Sequence, residues 1–258
     1  MGRYEMLRCF FVEEIRADNG TCIISGPEAK HIANVLRMKA GDRFILMDGR
    51  GSRFQAVIES ASSKGVRAVL EKPLPKPPPS PVHITLCQAL TKSRAMDYLL
   101  QKTSELGVDR VVPFYSERTT VRYKKERLVN KMRHWREIAI SAAKQCGRGI
   151  PAEIEPPSSF RELMERWRGD VALKVILWEE EGAKDLKSLL KLSSPADKFV
   201  GMIGPEGGFA EEEIDTARTA GFIVASLGHR ILRADTAAIT TVAIVQYELG
   251  DLNIRRKV

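Results

Sequence analysis

The chain has 258 residues, 43% of them apolar and 29% charged, with a formal net charge of +8 at pH 7. No run of about 18 apolar residues offers a membrane span, and Met1–Glu14 lacks the apolar stretch of a secretory signal. Cys9, Cys22, Cys87 and Cys146 are scattered without metal-ligand or disulfide spacing, as are the histidines, so a cytoplasmic, metal-free protein with one large or two modest domains is expected.

The first 72 residues read as short alternating strands, at Arg8–Glu13, Thr21–Ser25, Arg43–Asp48, Phe54–Ser60 and Val66–Glu71. Turn signals at Asp18-Asn19-Gly20 and Asp48-Gly49-Arg50-Gly51 separate them, and one short helix is expected over about Glu28–Met38. A small β-barrel over 1–72 fits this pattern. Pro73 to Pro81 holds six prolines and reads as a semi-rigid linker. Beyond it, over 82–258, strands and helices alternate. Strands are expected at Val82–Gln88, Arg110–Tyr115, Val171–Trp178, Lys198–Ile203 and Phe222–Leu227. The helix Ser93–Leu106 sets Ala95, Leu99, Lys102 and Leu106 along one side, a long basic helix covers Lys125–Cys146, and a last helix runs Thr236–Leu249. This alternation is the signature of a parallel α/β sheet. The last helix is apolar on nearly every side, which places it in a core or a subunit interface.

The positive charge is uneven. Residues 73–150 carry a net +9, against +3 for residues 1–72 and −4 for residues 151–258. Arg122, Lys124, Lys125, Arg127, Lys131, Arg133 and Arg136 form a stripe with Tyr123 and Trp135 nearby, a pattern suited to a nucleic-acid backbone and an occasional stacked base. A solvated helix face is the plainer alternative.

The most specific signal is a pair of loops, Gly204-Pro205-Glu206-Gly207-Gly208-Phe209 and Leu227-Gly228-His229-Arg230-Ile231-Leu232-Arg233-Ala234-Asp235-Thr236-Ala237. Each follows an apolar strand and opens a helix. Glu211, Glu212 and Glu213 suit the positive end of the first helix, and Asp235 or Thr236 can cap the second. Two such loops in series form two walls of one pocket at the carboxyl edge of a parallel sheet. No Gly-Lys-Ser/Thr follows Gly208, the dinucleotide Gly-x-Gly-x-x-Gly spacing is absent, and Glu206 would repel a phosphate. The pocket therefore suits a neutral or cationic ligand held by backbone groups.

With these loops the chain resembles the RsmE family, the 16S ribosomal RNA uridine-N3 methyltransferases of the SPOUT superfamily. Arg8–Val12, His31 with Val35-Leu36-Arg37, and Gly41-Asp42 resemble the family's N-terminal PUA-like barrel. Lys92, Lys102, Glu105-Leu106-Gly107-Val108, Pro113, Ser116-Glu117-Arg118 and Gln145 to Arg148 resemble its central segment. The resemblance implies a SPOUT-type sheet whose C-terminal part threads a trefoil knot. It implies S-adenosyl-L-methionine held by Leu177, Ile203, Gly204, Pro205, Glu206, Gly207, Gly208, Leu227, Gly228, Ile231, Leu232, Thr236 and Ala237. RNA contacts are implied at Arg8, His31, Arg37, Lys92, Arg118, Arg122, Lys124, Lys125 and Arg148. The implied substrate is 16S rRNA on the 30S subunit, and the implied assembly is a homodimer joined through the last helix. His229, Asp235 and Cys146 stand where proline, glutamate and serine are common in the family.

Methylation at uridine N3 requires loss of its proton and stabilisation of charge on the base carbonyls. Arg233 or Arg230 can supply that charge, with Arg233 fixed inward by the apolar pair before it. Glu206 or Asp235 can act as base, or cap a helix and hold an arginine. N3 lies on the Watson–Crick edge, so the base must be unpaired or flipped. Other readings are a non-catalytic RNA-binding or assembly factor, an enzyme of small metabolites, and a methyltransferase of another RNA site.

Overall fold

The computed structural model describes residues 7–253 except 13, 19, 180–183 and 193–195. Two compact units emerge: residues up to 78 with 143–151, and residues 79–142 with 152 onward. The division between Pro78 and Pro79 falls inside the proline-rich segment. The return of residues 143–151 to the first unit has no linear signature.

The first unit is built on a six-stranded sheet. Its elements are β1 (Cys9–Phe11), β2 (Ala17–Asp18), β3 (Thr21–Ile24), α1 (Gly26–Lys30), β4 (Arg43–Met47), β5 (Arg53–Ser62) and β6 (Gly65–Pro73). The strand order is β1-β4-β5-β6-β3-β2, antiparallel except for the parallel β1–β4 pair. Alternation places Phe44 and Leu46 of β4, Ala56 and Ile58 of β5, and Val66 and Ala68 of β6 on one inward face with Phe10 and Ile32. The helix expected over Glu28–Met38 is shorter. α1 passes at His31 into a π-helical turn to Val35, and Arg37 then takes φ +51°, so no α-helix reaches Met38. Asn19, in the expected turn after β2, and Glu13 lie outside the described residues.

The second unit begins with β7 (His83–Ala89), α2 (Ser93–Glu105), β8 (Arg110–Tyr115) and α3 (Lys125–Cys146), whose last turn belongs to the first unit. Then come β9 (Glu153–Ile154), β10 (Ser158–Ser159), α4 (Phe160–Trp167), β11 (Leu173–Leu177), β12 (Lys184–Asp185) and α5 (Leu186–Leu192). β13 (Lys198–Ile203), α6 (Glu211–Thr219), β14 (Ile223–Ser226) and α7 (Ala234–Glu248) complete it. The sheet is parallel throughout, in the order β10-β8-β7-β13-β11-β14-β12, with β9 also on β8. Helices cover both faces, so the central strands are continuous apolar runs, as in β7, where six of seven residues are buried. The two-residue strands β9, β10 and β12 are too short for any periodicity to reveal.

α2 buries Met96, Leu99, Leu100 and Thr103. The expected stripe through Ala95 and Lys102 is therefore displaced, and Lys102 instead pairs with Glu105 at 2.9 Å. Trp135, expected beside the basic stripe as a stacking platform, is fully buried in the core with Tyr123 edge-on to it. It cannot meet a base. α7 starts at Ala234 with Arg233 as its N-cap, so Asp235 and Thr236 lie inside the first turn and neither caps the helix.

Lys174 on β11 is buried, with no carboxylate paired to it among the described residues. Its ammonium donates to Trp167 O at 2.8 Å and Ala220 O at 3.0 Å, the carbonyls at the ends of α4 and α6, where the helix dipole is negative. Gln246 plays a matching part for α7. Its Nε2 donates to Gly107 O at 3.0 Å, and its Oε1 accepts from Ser80 Oγ at 3.0 Å and Asp251 N at 3.2 Å. Gly107 has φ +96°, and a Cβ there would lie 2.5 Å from Gln246 Nε2. Gln246→Leu should therefore lower unfolding free energy by about 1–2 kcal/mol, because the half-buried Gly107 carbonyl and Ser80 hydroxyl lose a hydrogen bond at once. Urea denaturation checks this.

Candidate functional site

Three neighbouring strands end together. β13 stops at Ile203, β11 at Leu177 and β14 at Ser226, and their carboxyl ends open into one cleft of about 1320 Å³. This is the edge at which open parallel sheets bind ligands, since the loops there are free to diverge. Both glycine loops line it, joined by Trp178 and Glu179 after β11. The opposite wall is helical, with Asp97, Tyr98 and Gln101 from α2 and His134 from α3.

The first loop folds back on itself. Gly208 has φ +69° and donates its N–H to Pro205 O at 3.0 Å, which closes a turn. Phe209 then returns into the core and stacks on Phe114 with centroids 6.3 Å apart. A Cβ on Gly204 would sit 3.2 Å from the Phe209 ring, so that packing depends on a glycine. In the second loop Gly228 has φ +101°, a conformation L side chains rarely adopt, with open space where a Cβ would point.

Carboxylates fasten the loops to their surroundings. Glu213, buried on α6, accepts from Ser116 Oγ at 2.9 Å, Glu117 N at 3.0 Å and Ala210 N at 3.1 Å. It ties the segment after β8 to the start of α6. Arg118 extends the same junction by donating from a terminal nitrogen to Gly207 O at 3.1 Å. Glu206 Oε1 accepts from Lys92 N at 3.2 Å, at the amino end of α2, where a carboxylate also meets the positive end of the dipole. Asp235 Oδ1 accepts from Thr236 N at 2.8 Å. Across the cleft, Asp97 accepts from Trp135 Nε1 at 3.2 Å and lies 3.0 Å from His134 Nε2.

Eleven of the thirteen residues expected to hold a cofactor line this cleft, and Gly207 and Thr236 do not. Glu206, Arg230 and Arg233 line it too, as does Lys92. The inward setting expected for Arg233 is overturned. Ile231 is 83% exposed and Arg233 is exposed, because the loop runs across the rim instead of turning into the core. Arg122 rests over the Tyr115 ring at 4.8 Å, while Lys124 and Lys125 are exposed at the start of α3. Arg8, His31, Arg37 and Arg148 belong to the first unit, where the first three are exposed. The residues that sequence reasoning passed over are Trp178, Glu179 and the α2 and α3 wall. The strand-end rule applied to β11 would have found the first two. Nothing linear marks the wall.

A family profile described as an RNA methyltransferase domain matches residues 78–246, a span that includes both loops. A second, an RNA methyltransferase PUA domain, matches residues 24–71. Ribosomal RNA small subunit methyltransferase E of Buchnera aphidicola (subsp. Acyrthosiphon pisum, strain APS) is 30% identical over 93% of this chain and 93% of its own. The chain belongs to the ribosomal RNA small subunit methyltransferase E family. Among solved structures, the Neisseria gonorrhoeae family member bound to S-adenosyl methionine superposes with a TM-score of 0.86 at 32% identity, covering 95% of this chain and 99% of that one. A Legionella pneumophila putative methyltransferase in complex with the same cofactor gives 0.87 at 33% identity, with 95% and 99% covered. The family's likeness spans both units.

The Glu213 junction holds one wall of the cleft in place. Glu213→Ala should leave one hydroxyl and two N–H groups without their acceptor and lower stability by about 3 kcal/mol. Chemical denaturation measures it, and a loss below about 1 kcal/mol would mean that water replaces the carboxylate.

Proposed function

We propose that this protein transfers a methyl group from S-adenosylmethionine to N3 of a uridine in 16S ribosomal RNA, on the assembled 30S subunit. The observation that carries the reading is the meeting of three strand ends and two glycine loops in one cleft. The cleft fits the cofactor. Gly204, Gly208 and Gly228 present backbone instead of side chains, and the N–H groups of Ile231 and Leu232 have no backbone partner among the described residues. Glu179, Glu206 and Asp235 on the lining suit a cation and disfavour phosphate. Leu177, Ile203, Gly204, Leu227, Gly228 and Leu232 would hold it.

The cofactor supplies an electrophilic methyl carbon. The chain's own task is to hold N3 in line, keep water out and stabilise charge on the uracil carbonyls. Arg230 and Arg233 stand on the cleft wall, and a guanidinium keeps its charge throughout. Glu206 and Asp235 are both engaged by backbone N–H groups, which suits bracing of the loops. The exposed cations at the start of α3, with Arg8, His31 and Arg37 of the PUA-like unit, suit the RNA backbone. β13 enters the sheet between β7 and β11, strands that precede it in the chain, an order suited to a trefoil knot. The first sheet suits a closed PUA-like barrel. A second copy of the chain would cover the half-buried face of α7 at Ile239, Ala243 and Ile244, with exposed Tyr247 and Ile231 beside it.

The deciding experiment is tritiated-methyl transfer to 30S subunits from a strain lacking the modification, followed by nucleoside analysis. Label should appear in 3-methyluridine. RNA binding without transfer would favour a non-catalytic factor. In the same assay Arg233→Ala should cut turnover by on the order of a hundredfold with cofactor affinity nearly unchanged, and Arg233→Lys should recover little. Single-turnover rates equal to wild type would remove the electrostatic role. Gly228→Val should abolish cofactor binding while RNA affinity is kept, because the φ of +101° is closed to valine. Calorimetry with S-adenosylmethionine checks it.

A further inference from the structure

The first unit brings two cations, Arg53 and Lys76, to one glycine-rich corner. Arg53 begins β5, after the hairpin turn Asp48–Ser52, and residues 147–151 pack against that turn. A Cβ placed on Gly149 would meet Gly51 Cα at 3.5 Å and Arg53 Cδ at 3.7 Å. A Cβ on Gly51 would meet the Lys76 side chain at 3.6 Å and its ammonium nitrogen at 3.7 Å. Arg53, Lys76 and the Gly147-Arg148-Gly149 turn thus converge on one spot. Gly147, at φ +78°, leaves open space where a side chain would stand.

Arg53 is half-buried, and its Nε is shielded from solvent without a hydrogen-bond partner among the described residues. A shielded guanidinium without a counter-charge is costly. The acid of the hairpin does not answer it: Asp48 Oδ1 accepts from Arg50 N at 2.8 Å and Ser52 N at 2.9 Å, within its own turn. Beside Arg53 stands the Cys9 thiol, whose pKa is pushed up by burial against the opposing pull of the Arg53 charge. A neutral thiol compensates nothing. Such a cluster of positive charge, with glycine backbone open beside it, suits a singly charged tetrahedral anion approached by a planar guanidinium.

We propose that Arg53 and Lys76, beside the Gly147-Arg148-Gly149 turn, hold one backbone phosphate of the RNA substrate. The site rests on the RNA-methylating reading above. It adds an anchor away from the methyl-transfer cleft, and Arg53 makes the directed contact while Lys76 adds charge.

The test is equilibrium binding of the full-length protein to 30S subunits lacking the modification, over a salt series. Arg53→Gln should weaken binding about tenfold and reduce the log–log salt slope by roughly one. Arg53→Lys should recover only part of the affinity, and Lys76→Gln should give a smaller loss with the same sign. Wild-type slope and affinity in both Arg53→Gln and Lys76→Gln would overturn the site, including the case in which only stabilisation by inorganic phosphate is lost. If Arg53→Gln does not fold, the exposed Lys76→Gln decides the matter alone. Failure of the wild-type protein to bind 30S subunits would instead overturn the functional reading.

Discussion

The arrangement of the second unit depends on one constraint, the position of β13 between β7 and β11. A parallel strand in the middle of a sheet must satisfy a ladder on both sides, and β13 does so with six paired residues on β7 and four on β11. Its in-register fit brings the last residue, Ile203, level with the ends of its neighbours. The loop that leaves it then has nowhere to go but the same edge as those leaving β11 and β14. The cleft is a consequence of strand order, and the glycines make that edge usable by leaving backbone where side chains would close it.

Charge is handled differently at the cleft and beneath it. The groups underneath are buried and fully engaged. Glu213 accepts three hydrogen bonds, and Lys174 joins the carbonyl ends of α4 and α6. An ion without such partners would be destabilising there, so each also fixes the geometry of what it holds. At the rim Arg230 and Arg233 remain exposed. The contrast is that of a hydrogen-bonded frame supporting exposed charge.

Much of this was legible in the residue order. Apolar runs bounded by turns marked the five principal strands of the second unit, and the change from alternating to continuous apolar patterns at the proline-rich segment marked a change of architecture. Nine of the residues expected to hold a cofactor lie in the two loops and line the cleft, and the glycines, proline and carboxylates of those strand-to-helix junctions have local causes. Several departures share one source, which is the direction in which a residue faces. Trp135 sits in a basic stretch and yet fills the core. Ile231 and Leu232 look like an anchor, but Ile231 projects from the rim. Ala95 and Lys102 lie at the half-buried margin of a helical side whose Leu99 is fully buried.

The sequence by itself determined the principal strands and helices and where the backbone needs glycine. Those properties follow from interactions a few residues apart. Tertiary structure alone decided the strand order, the wall that α2 and α3 place across the cleft, and the return of residues 143–151 to Arg53 and Lys76. Each joins residues far apart in the chain, as His83 of β7 pairs with Lys198 of β13, and no local pattern records such a contact.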